Sequence, residues 1–323
     1  MDPLSDVIRG IRLNAAHFYR VEAAAPWSVS TVASRELVPR VLPESEHLIS
    51  FHILLGGSCW GGLEGQDQVR MQAGDVIVFP HGDPHVMSSN EWQTVRNVDS
   101  LLTDPRHFAE TVHLGNEGGR DAVFVCGFLG CDLRPFNPLL AALPRRLHAP
   151  GIAAGWLQPL SDQVVRESRA GRIGKDTMVT RMAELLFIEA VRQHIERAAH
   201  SEQTGWLAGI VDPVVGPALT RMHERPAHPW TLPQLARAGA TSRSVLAERF
   251  TRALGISAMQ YLKRWRLQLA ADALARGSAK VSAIAATVGY DSEAAFSRAF
   301  KQETGVSPAA WRSVRRKERR PQL

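Results

Sequence analysis

The sequence is poor in cysteine: Cys59, Cys126 and Cys131 are the only three in 323 residues. Three thiols are too few for a disulfide framework, and the count fits a reducing, cytoplasmic setting. No apolar run approaches the roughly 18 residues that suggest a membrane span, so no membrane partner is expected. The opening stretch MDPLSDVIRG has no basic run leading into an apolar one, so no secretory leader is expected either. What remains is an ordinary globular composition, 45% apolar and 22% charged, with a length suited to two or three domains.

Charge is unevenly spread. From Asp212 to the end there are 19 Lys and Arg against 8 Asp and Glu, a net of +11, whereas residues 1–211 carry a net of −5. A basic C-terminal part beside an acidic remainder points to a polyanionic partner. A solvated basic face with a frayed tail, RRKERRPQL, is the plainer explanation, and charge alone does not decide between them.

The chain divides into three segments. Residues 1–150 hold short apolar runs such as HLISFHILL, GDVIVFP and DAVFVCGFLG between turn signals, which read as an antiparallel barrel or sandwich. Residues 151–211 read as a helical hairpin and linker: GWLQPLSDQVVRES and KDTMVTRMAELLFIEAVRQHIERAA are joined by Ala-Gly-Arg-Ile-Gly. In the second helix Met182, Leu185, Leu186, Phe187 and Ile188 spread around the circumference. A helix apolar on most sides is covered on more than one, either within one chain or by a partner subunit. Residues 212–323 are predominantly helical.

This last segment contains a repeat. Leu232, Leu235 and Ala236 correspond to Val281, Ile284 and Ala285 at an offset of 49. Ser242, Leu246, Phe250, Gly255, Ser257 and Tyr261 correspond to Ser292, Phe296, Phe300, Gly305, Ser307 and Trp311 at an offset of 50, so one residue is gained in the turn between them. Each unit is expected to end a short Ala-rich helix at Gly239 or Gly289 through a positive φ. Ser242 or Ser292 then N-caps the next helix. Leu246 with Phe250, and Phe296 with Phe300, lie at i and i+4 and pin that second helix down. Arg243, Ser244, Ala247 and Glu248, and in the other copy Glu293, Ala294, Ser297 and Arg298, face outward. A helix-turn-helix with such a face can enter a major groove, and QYLKRWRLQLAADALARG reads as a helix holding two of them about 34 Å apart.

The motifs S-R-S-x-L-x-x-x-F, R-L-Q-L-A, V-G-Y-D-S-E-A-A-F-S-R-A-F-K and G-V-S-P-A-A-W-R resemble the DNA-binding domain of AraC/XylS-type bacterial transcription regulators, over about Val214 to Arg312. The resemblance implies double-stranded promoter DNA as partner, RNA polymerase as a further one, and an activator. The residues themselves leave activation and repression open. Carried over by position, Ser244, Ala247, Glu248, Glu293, Ala294, Ser297 and Arg298 face bases. Arg243 meets a phosphate or a base. Arg252, Lys263, Arg264 and Lys301 are candidate phosphate contacts. The sequence departs from the family pattern at Ala258 and Trp311, where Pro and Tyr are commoner.

In the first segment, AGDVIVFPHGDPHVM carries G-x5-P-x-G-x2-H, a spacing similar to the second motif of cupins. Gly74 and Asp75 turn into a strand over Val76–Phe79, and His85 opens the next. In metal-binding cupins this His joins an H-x-H and a Glu. Here His47 and His52 are five apart, on opposite strand faces, and no matching Glu stands downstream apart from Glu64. His52, His81 and His85 are the remaining candidate ligands for a metal. Structural histidines are the expected reading, with no cofactor called for. The half resembles the cupin-type effector domain of one branch of AraC-type regulators, which implies a ligand-sensing module that forms a homodimer. The pairing of a cupin-like barrel with a separate basic domain suggests a pocket near His52 and His85 for an unidentified small effector. Three alternatives stay open: a regulator answering oxidants through Cys126 and Cys131, a metal-dependent cupin enzyme with a DNA-binding appendage, and a protein-interaction scaffold. Cys126 and Cys131 lie on opposite faces of any straight strand, so a disulfide between them requires a turn at Gly127 or Gly130. The fold class expected is therefore α+β and multidomain: a cupin-like β-barrel, a helical hairpin, and an all-α domain with two helix-turn-helix units.

Overall fold

The computed structural model of the protein describes residues 2–11, 13, 15–91, 111–116, 119–132, 136–152, 159, 163, 166–167, 173–198 and 205–318. It falls into two compact units, neither contiguous in sequence. One is made of residues 13–132 and 143–197, the other of 1–12, 133–142 and 198–323. The compact units thus cut across the segments 1–150, 151–211 and 212–323. Short apolar stretches near the start and middle of the chain belong with the C-terminal helices.

Helix α1 (Pro3–Ile11) opens the chain and belongs to the helical unit. The β-rich unit then begins with β1 (Ala15–Ala24), β2 (Ser28–Thr31), α2 (Ser34–Val41) and the 17-residue β3 (His47–Leu63). It continues with β4 (Val69–Gln72), β5 (Val76–Phe79), β6 (His85–Ser88), β7 (Thr111–Gly115) and β8 (Ala122–Cys131). Among the described residues these strands and β9 (Leu147–Ala149) form one nine-stranded sheet, ordered β2-β6-β3-β8-β1-β7, with β4 and β5 also on β3. Strand β3 is the organiser. Its first part pairs antiparallel with β8 and β5, and its last residues pair with β4 and β6. Its register against β8 shifts between Leu54 and Gly56, and such a bulge bends a strand. Gly57, at φ 77°, follows at a point where a Cβ would sit 1.7 Å from the Asp121 carbonyl oxygen. The sheet therefore curls into a half-barrel of cupin type. Gly74 (φ 95°) and Gly82 (φ 64°) bracket β5, and β6 opens at His85.

The concave side is filled by Trp27, Leu54, Met71, Phe79, Met87 and Phe124, with Cys59 and Cys126 among them. Leu37, Val41 and Leu42, in and just after α2, close one end against Leu48 and Phe128. On the other face Phe18 and Phe51 flank Gly127 in register, and their rings meet edge to face at 5.2 Å. A Cβ at position 127 would lie 2.3 Å from Cζ of Phe51. Glycine is there to make room for the Phe51 ring, not to make a turn. Helix α4 (Lys175–Ala198) completes the unit. It buries Val179, Met182, Ala183, Leu186, Phe187, Ala190 and Val191, and leaves Met178 and Leu185 about half exposed. The first helix of the expected hairpin, over 155–168, falls mostly outside the described residues.

The helical unit combines α1 and α3 (Pro138–Ala142) with α5 (Trp206–Val211), α6 (Val215–Glu224), α7 (Leu232–Ala238), α8 (Arg243–Leu254), α9 (Ala258–Arg276), α10 (Val281–Thr287), α11 (Glu293–Thr304) and α12 (Pro308–Glu318). Two helix-turn-helix units, α7–α8 and α10–α11, are bridged by α9, as the repeat predicts. Helix α9 serves both cores. Tyr261 meets Phe250 at 5.9 Å in the first, and Leu267, Ala270, Ala271 and Leu274 join Ile284, Phe296, Phe300 and Trp311 in the second. A buried polar chain anchors the near side. Trp206 Nε1–H donates to Tyr261 Oη, leaving the Tyr261 hydroxyl proton for His223 Nε2. That places the His223 proton on Nδ1, 3.6 Å from the Asp6 carboxylate of α1.

Candidate functional site

The two recognition helices have the same construction. Ser242 Oγ accepts from the Val245 N–H, and Ser292 Oγ from the Ala295 N–H. Gly255 and Gly305 end the helices at φ 72° and 79°, the left-handed region that glycine enters without cost. Leu246 with Phe250, and Phe296 with Phe300, are fully buried, which turns the opposite faces outward. The turns differ. Gly289 has the expected positive φ of 83°, but Gly239 lies at φ −92° and the left-handed residue of the first unit is Ala240, at φ 48°. Ala240 and Gly289 are the true equivalents, at the offset of 49. Gly239 is glycine because a Cβ there would come 2.5 Å from the Val214 carbonyl oxygen.

On α8, Arg243, Ser244 and Glu248 are exposed and Ala247 is half-buried; on α11, Glu293, Ala294 and Arg298 are exposed and Ser297 is half-buried. The four candidate phosphate contacts differ in their engagements. Arg252 pairs with Glu248 at 2.5 Å, Arg264 with Glu303 at 2.9 Å, and Lys263 donates to Gln302 at 3.2 Å. Lys301 stands exposed on α11. Asp212 fastens α8 from behind. One carboxylate oxygen accepts from the N–H groups of Val214 and Val215, and the other pairs with Arg249 at 2.6 Å. Burial pushes its pKa up, but those N–H bonds and Arg249 hold it below the usual carboxylate value.

In the β-rich unit His52 and His85 are buried and in contact, their Nε2 atoms 2.9 Å apart. The direction of the bonds follows from the partners. His85 Nδ1 faces the Asp83 carbonyl at 2.9 Å, and a carbonyl only accepts, so Nδ1 carries the proton. His85 Nε2 is then bare and accepts from His52 Nε2–H. His52 Nδ1 is bare in turn and accepts from the Cys126 thiol, 2.8 Å away. Tyr19 hydrogen-bonds the same sulfur from the other side. The His85 ring also stacks on Phe79 at 3.9 Å. Burial drives His85 down to about 4 and His52 in the same direction, so both rings are neutral at pH 7.

A cavity of about 460 Å³ lies elsewhere in this unit, between the start of β1 and the first turns of α4. It is lined by Leu13, Ala16, His17, Leu42, Thr180 and Arg181, with Asp176 and Thr177. Burial lowers the His17 pKa, opposed by Asp176.

Comparison with known proteins gives the family. Residues 2–196 match the family model described as a cupin, and residues 235–313 match a helix-turn-helix domain. A putative AraC-like transcription regulator of Streptomyces lividans is 32% identical over 320 residues, 97% of this chain and 98% of that protein. The chain belongs to the AraC-like transcription regulators. It is also 29% identical over 319 residues to the HTH-type transcriptional regulator AlkR of Acinetobacter baylyi, covering 97% of this chain and 99% of that one. A crystal structure of the DNA-binding domain of AdpA in complex with a target DNA is similar at 28% identity and a TM-score of 0.32, over 35% of this chain and 99% of that one.

This AraC-like regulator is therefore a DNA-binding transcription regulator carrying a cupin domain, and its relatives are named as regulators rather than enzymes. Two readings left open for its cupin half meet the following geometry. His81 does not join His52 and His85: its Nε2–H donates to the Leu143 carbonyl at 2.9 Å, and His47 likewise turns to the Pro80 carbonyl at 2.7 Å. Among the described residues no three His, Cys, Asp or Glu side chains are grouped to hold a metal ion. Cys126 and Cys131 lie on one unbroken strand, without the turn that a disulfide between them requires. Five residues of strand separate their Cα atoms by roughly 16 Å, more than twice the reach of a disulfide. Burial pushes both thiols up, and Cys59 to about 12. No sequence signal marked the cavity at His17, because its lining comes from three separate stretches of chain. No helix among the described residues is long and apolar enough to cross a membrane.

Proposed function

We propose that this regulator reads a specific operator with α8 and α11, placed in successive major grooves, and that its cupin unit adjusts that reading in response to a small effector. The observation that carries the first part is the matched pair of Ser-capped helices with outward faces, on a segment of net charge +11. Arg243, Ser244, Ala247 and Glu248 read one groove; Glu293, Ala294, Ser297 and Arg298 read the other. Arg298 has the reach for a bidentate contact to guanine O6 and N7, worth about 1–3 kcal/mol of discrimination. The test selects bound duplexes from a randomised library with the full chain, then compares Arg298→Ala on the selected site and on random DNA. A loss confined to the selected site supports base readout, and equal losses on both reduce Arg298 to a phosphate contact.

For the effector, the cavity at His17 is a better receptacle than His52 and His85. All four ring nitrogens of that histidine pair are already engaged, whereas about 460 Å³ is within the size range of small-molecule pockets. The lining suits a compact molecule with an apolar body against Leu13 and Leu42 and hydrogen-bonding groups toward Thr180 and Arg181. Regulation requires that it favour one arrangement of the protein, since equal affinity for two states shifts nothing. A thermal-shift screen of small molecules on the full chain, repeated on Arg181→Ala and His85→Gln, tests this. Hits lost in Arg181→Ala alone support the cavity; hits lost in His85→Gln alone move the effector to the barrel interior. Homodimerisation has its best support on α4, where Met178 and Leu185 sit seven residues apart, 49% and 46% exposed. Leu185→Glu, followed by sedimentation, tests it.

A further inference from the structure

We propose that Arg266 sets the distance and angle between the two recognition helices, and so fixes the operator spacing this regulator accepts. The inference rests on the reading of α8 and α11 as the DNA-reading pair.

Helix α9 alone does not explain how two separately cored units hold one relative orientation. Its first half belongs to the core around Phe250, and from Leu267 onward it belongs to the core around Phe296 and Phe300. Arg266 stands at the junction. Its Nε donates to the Pro226 carbonyl at 2.7 Å and its Nη2 to the His228 carbonyl at 2.8 Å. Both carbonyls lie in the segment between α6 and α7 of the first unit. The remaining nitrogen, Nη1, donates to the Gly289 carbonyl at 3.3 Å, in the turn of the second unit. One planar guanidinium thus spans both units, and its five N–H groups are fixed relative to one another as those of a lysine are not.

The backbones meet at the same place. Gly289 adopts φ 83°, and a Cβ there would lie 2.5 Å from the Ala227 carbonyl oxygen and 2.8 Å from its Cα. The turn of the second unit therefore rests on the loop of the first, with no side chain between. Lys263 with Gln302 and Arg264 with Glu303 tie α9 to the end of α11. Arg266 is half-buried within this contact, and it is the one of these cations that bonds to both units through main-chain carbonyls. It is a positioning residue: it does not face the groove, and it acts through the helices that do.

Such a clamp predicts intolerance to spacing. Inserting one base pair between the two groove sites moves them apart by about 3.4 Å and rotates them by roughly 35°. Full-length protein is measured by gel shift or anisotropy on its library-selected operator and on versions with one base pair added or removed between the two sites. The wild type is expected to lose 100-fold or more on either altered duplex. For Arg266→Gln that penalty should fall below 10-fold. Arg266→Lys, which keeps the charge but not the planar fork, should behave like Arg266→Gln. The penalty is a ratio taken on one preparation, so a partly unfolded variant scales all three duplexes alike and leaves it unchanged. If Arg266→Gln weakens all spacings by one factor, or Arg266→Lys retains the wild-type ratio, the proposal is overturned although the DNA-reading assignment stands. If library selection yields no preferred duplex at all, that assignment is what fails.

Discussion

Lowering the pH from 7 to 5 is expected to weaken the cupin unit through His85. The ring is 1% exposed, and burial holds its pKa at about 4 against 6.5 for an ordinary imidazole. Between those values the unfolded chain binds a proton that the folded chain refuses, so stability falls as pH falls. The loss begins near 6.5 and is complete below about 4. At pH 5 the two values together predict a loss of about 2 kcal/mol from this one ring. The hydrogen-bond chain gives the structural reason. A protonated His85 would turn an N–H toward His52 Nε2–H, setting two donors face to face at 2.9 Å. His52 is displaced in the same direction, so the wild-type loss should be no smaller. Amide hydrogen exchange of β3 and β8, corrected for the intrinsic pH dependence of exchange, reads this locally. Protection in the wild type should drop about 30-fold more between pH 7 and 5 than in His85→Gln, whose amide can serve both neighbours without titrating. Equal drops in the two proteins would refute the reasoning, and would mean that the pair takes up protons without breaking its contacts.

Ala240→Gly should stabilise the helical unit. Relief of a left-handed alanine is worth about 1–2 kcal/mol, offset by about 0.5–1 kcal/mol of glycine entropy, and urea denaturation measures the balance. Gly127→Ala should destabilise the cupin unit by about 1–3 kcal/mol, because its methyl overlaps the Phe51 ring; an unchanged melting temperature would contradict that overlap. Lys301→Ala should reduce the slope of log K against log salt by about 0.9 on every duplex, selected or random. Asp212→Asn should leave α8 less firmly held. It should also remove a loss of stability that the wild type shows as pH falls through the carboxylate range, since the folded-state pKa lies below the unfolded value.

Much of the DNA-binding half was legible because its cues are local. Ser242 and Ser292 announce caps, Leu246 with Phe250 and Phe296 with Phe300 announce buried stripes, and all of these hold. The misreading at Gly239 shows the limit of such cues. Glycine has two uses, positive φ and close approach, and sequence does not distinguish them. Gly239 serves close approach to Val214, while Ala240 takes the strained conformation. Gly127 repeats the lesson in the cupin half, where a glycine at which a disulfide would require a turn instead stays in the strand and makes room for the Phe51 ring.

What escaped the sequence is what depends on partners far apart in the chain. The stretches 1–12 and 133–142 are short, and nothing in their apolar pattern says which core they join. In the structure the Phe136 N–H bonds to Gln268 Oε1 at 2.9 Å, and Asp6 faces His223, so both stretches are built into the helical unit. Along the chain, α1 leads within four residues into β1, and β8 ends five residues before Phe136. Strands β1 and β8 are neighbours in the sheet, with Tyr19 paired to Cys126. The cupin strands that carry Tyr19 and Cys126 are thus the ones whose chain continues directly into segments packed against α5, α6 and α9 of the helical unit.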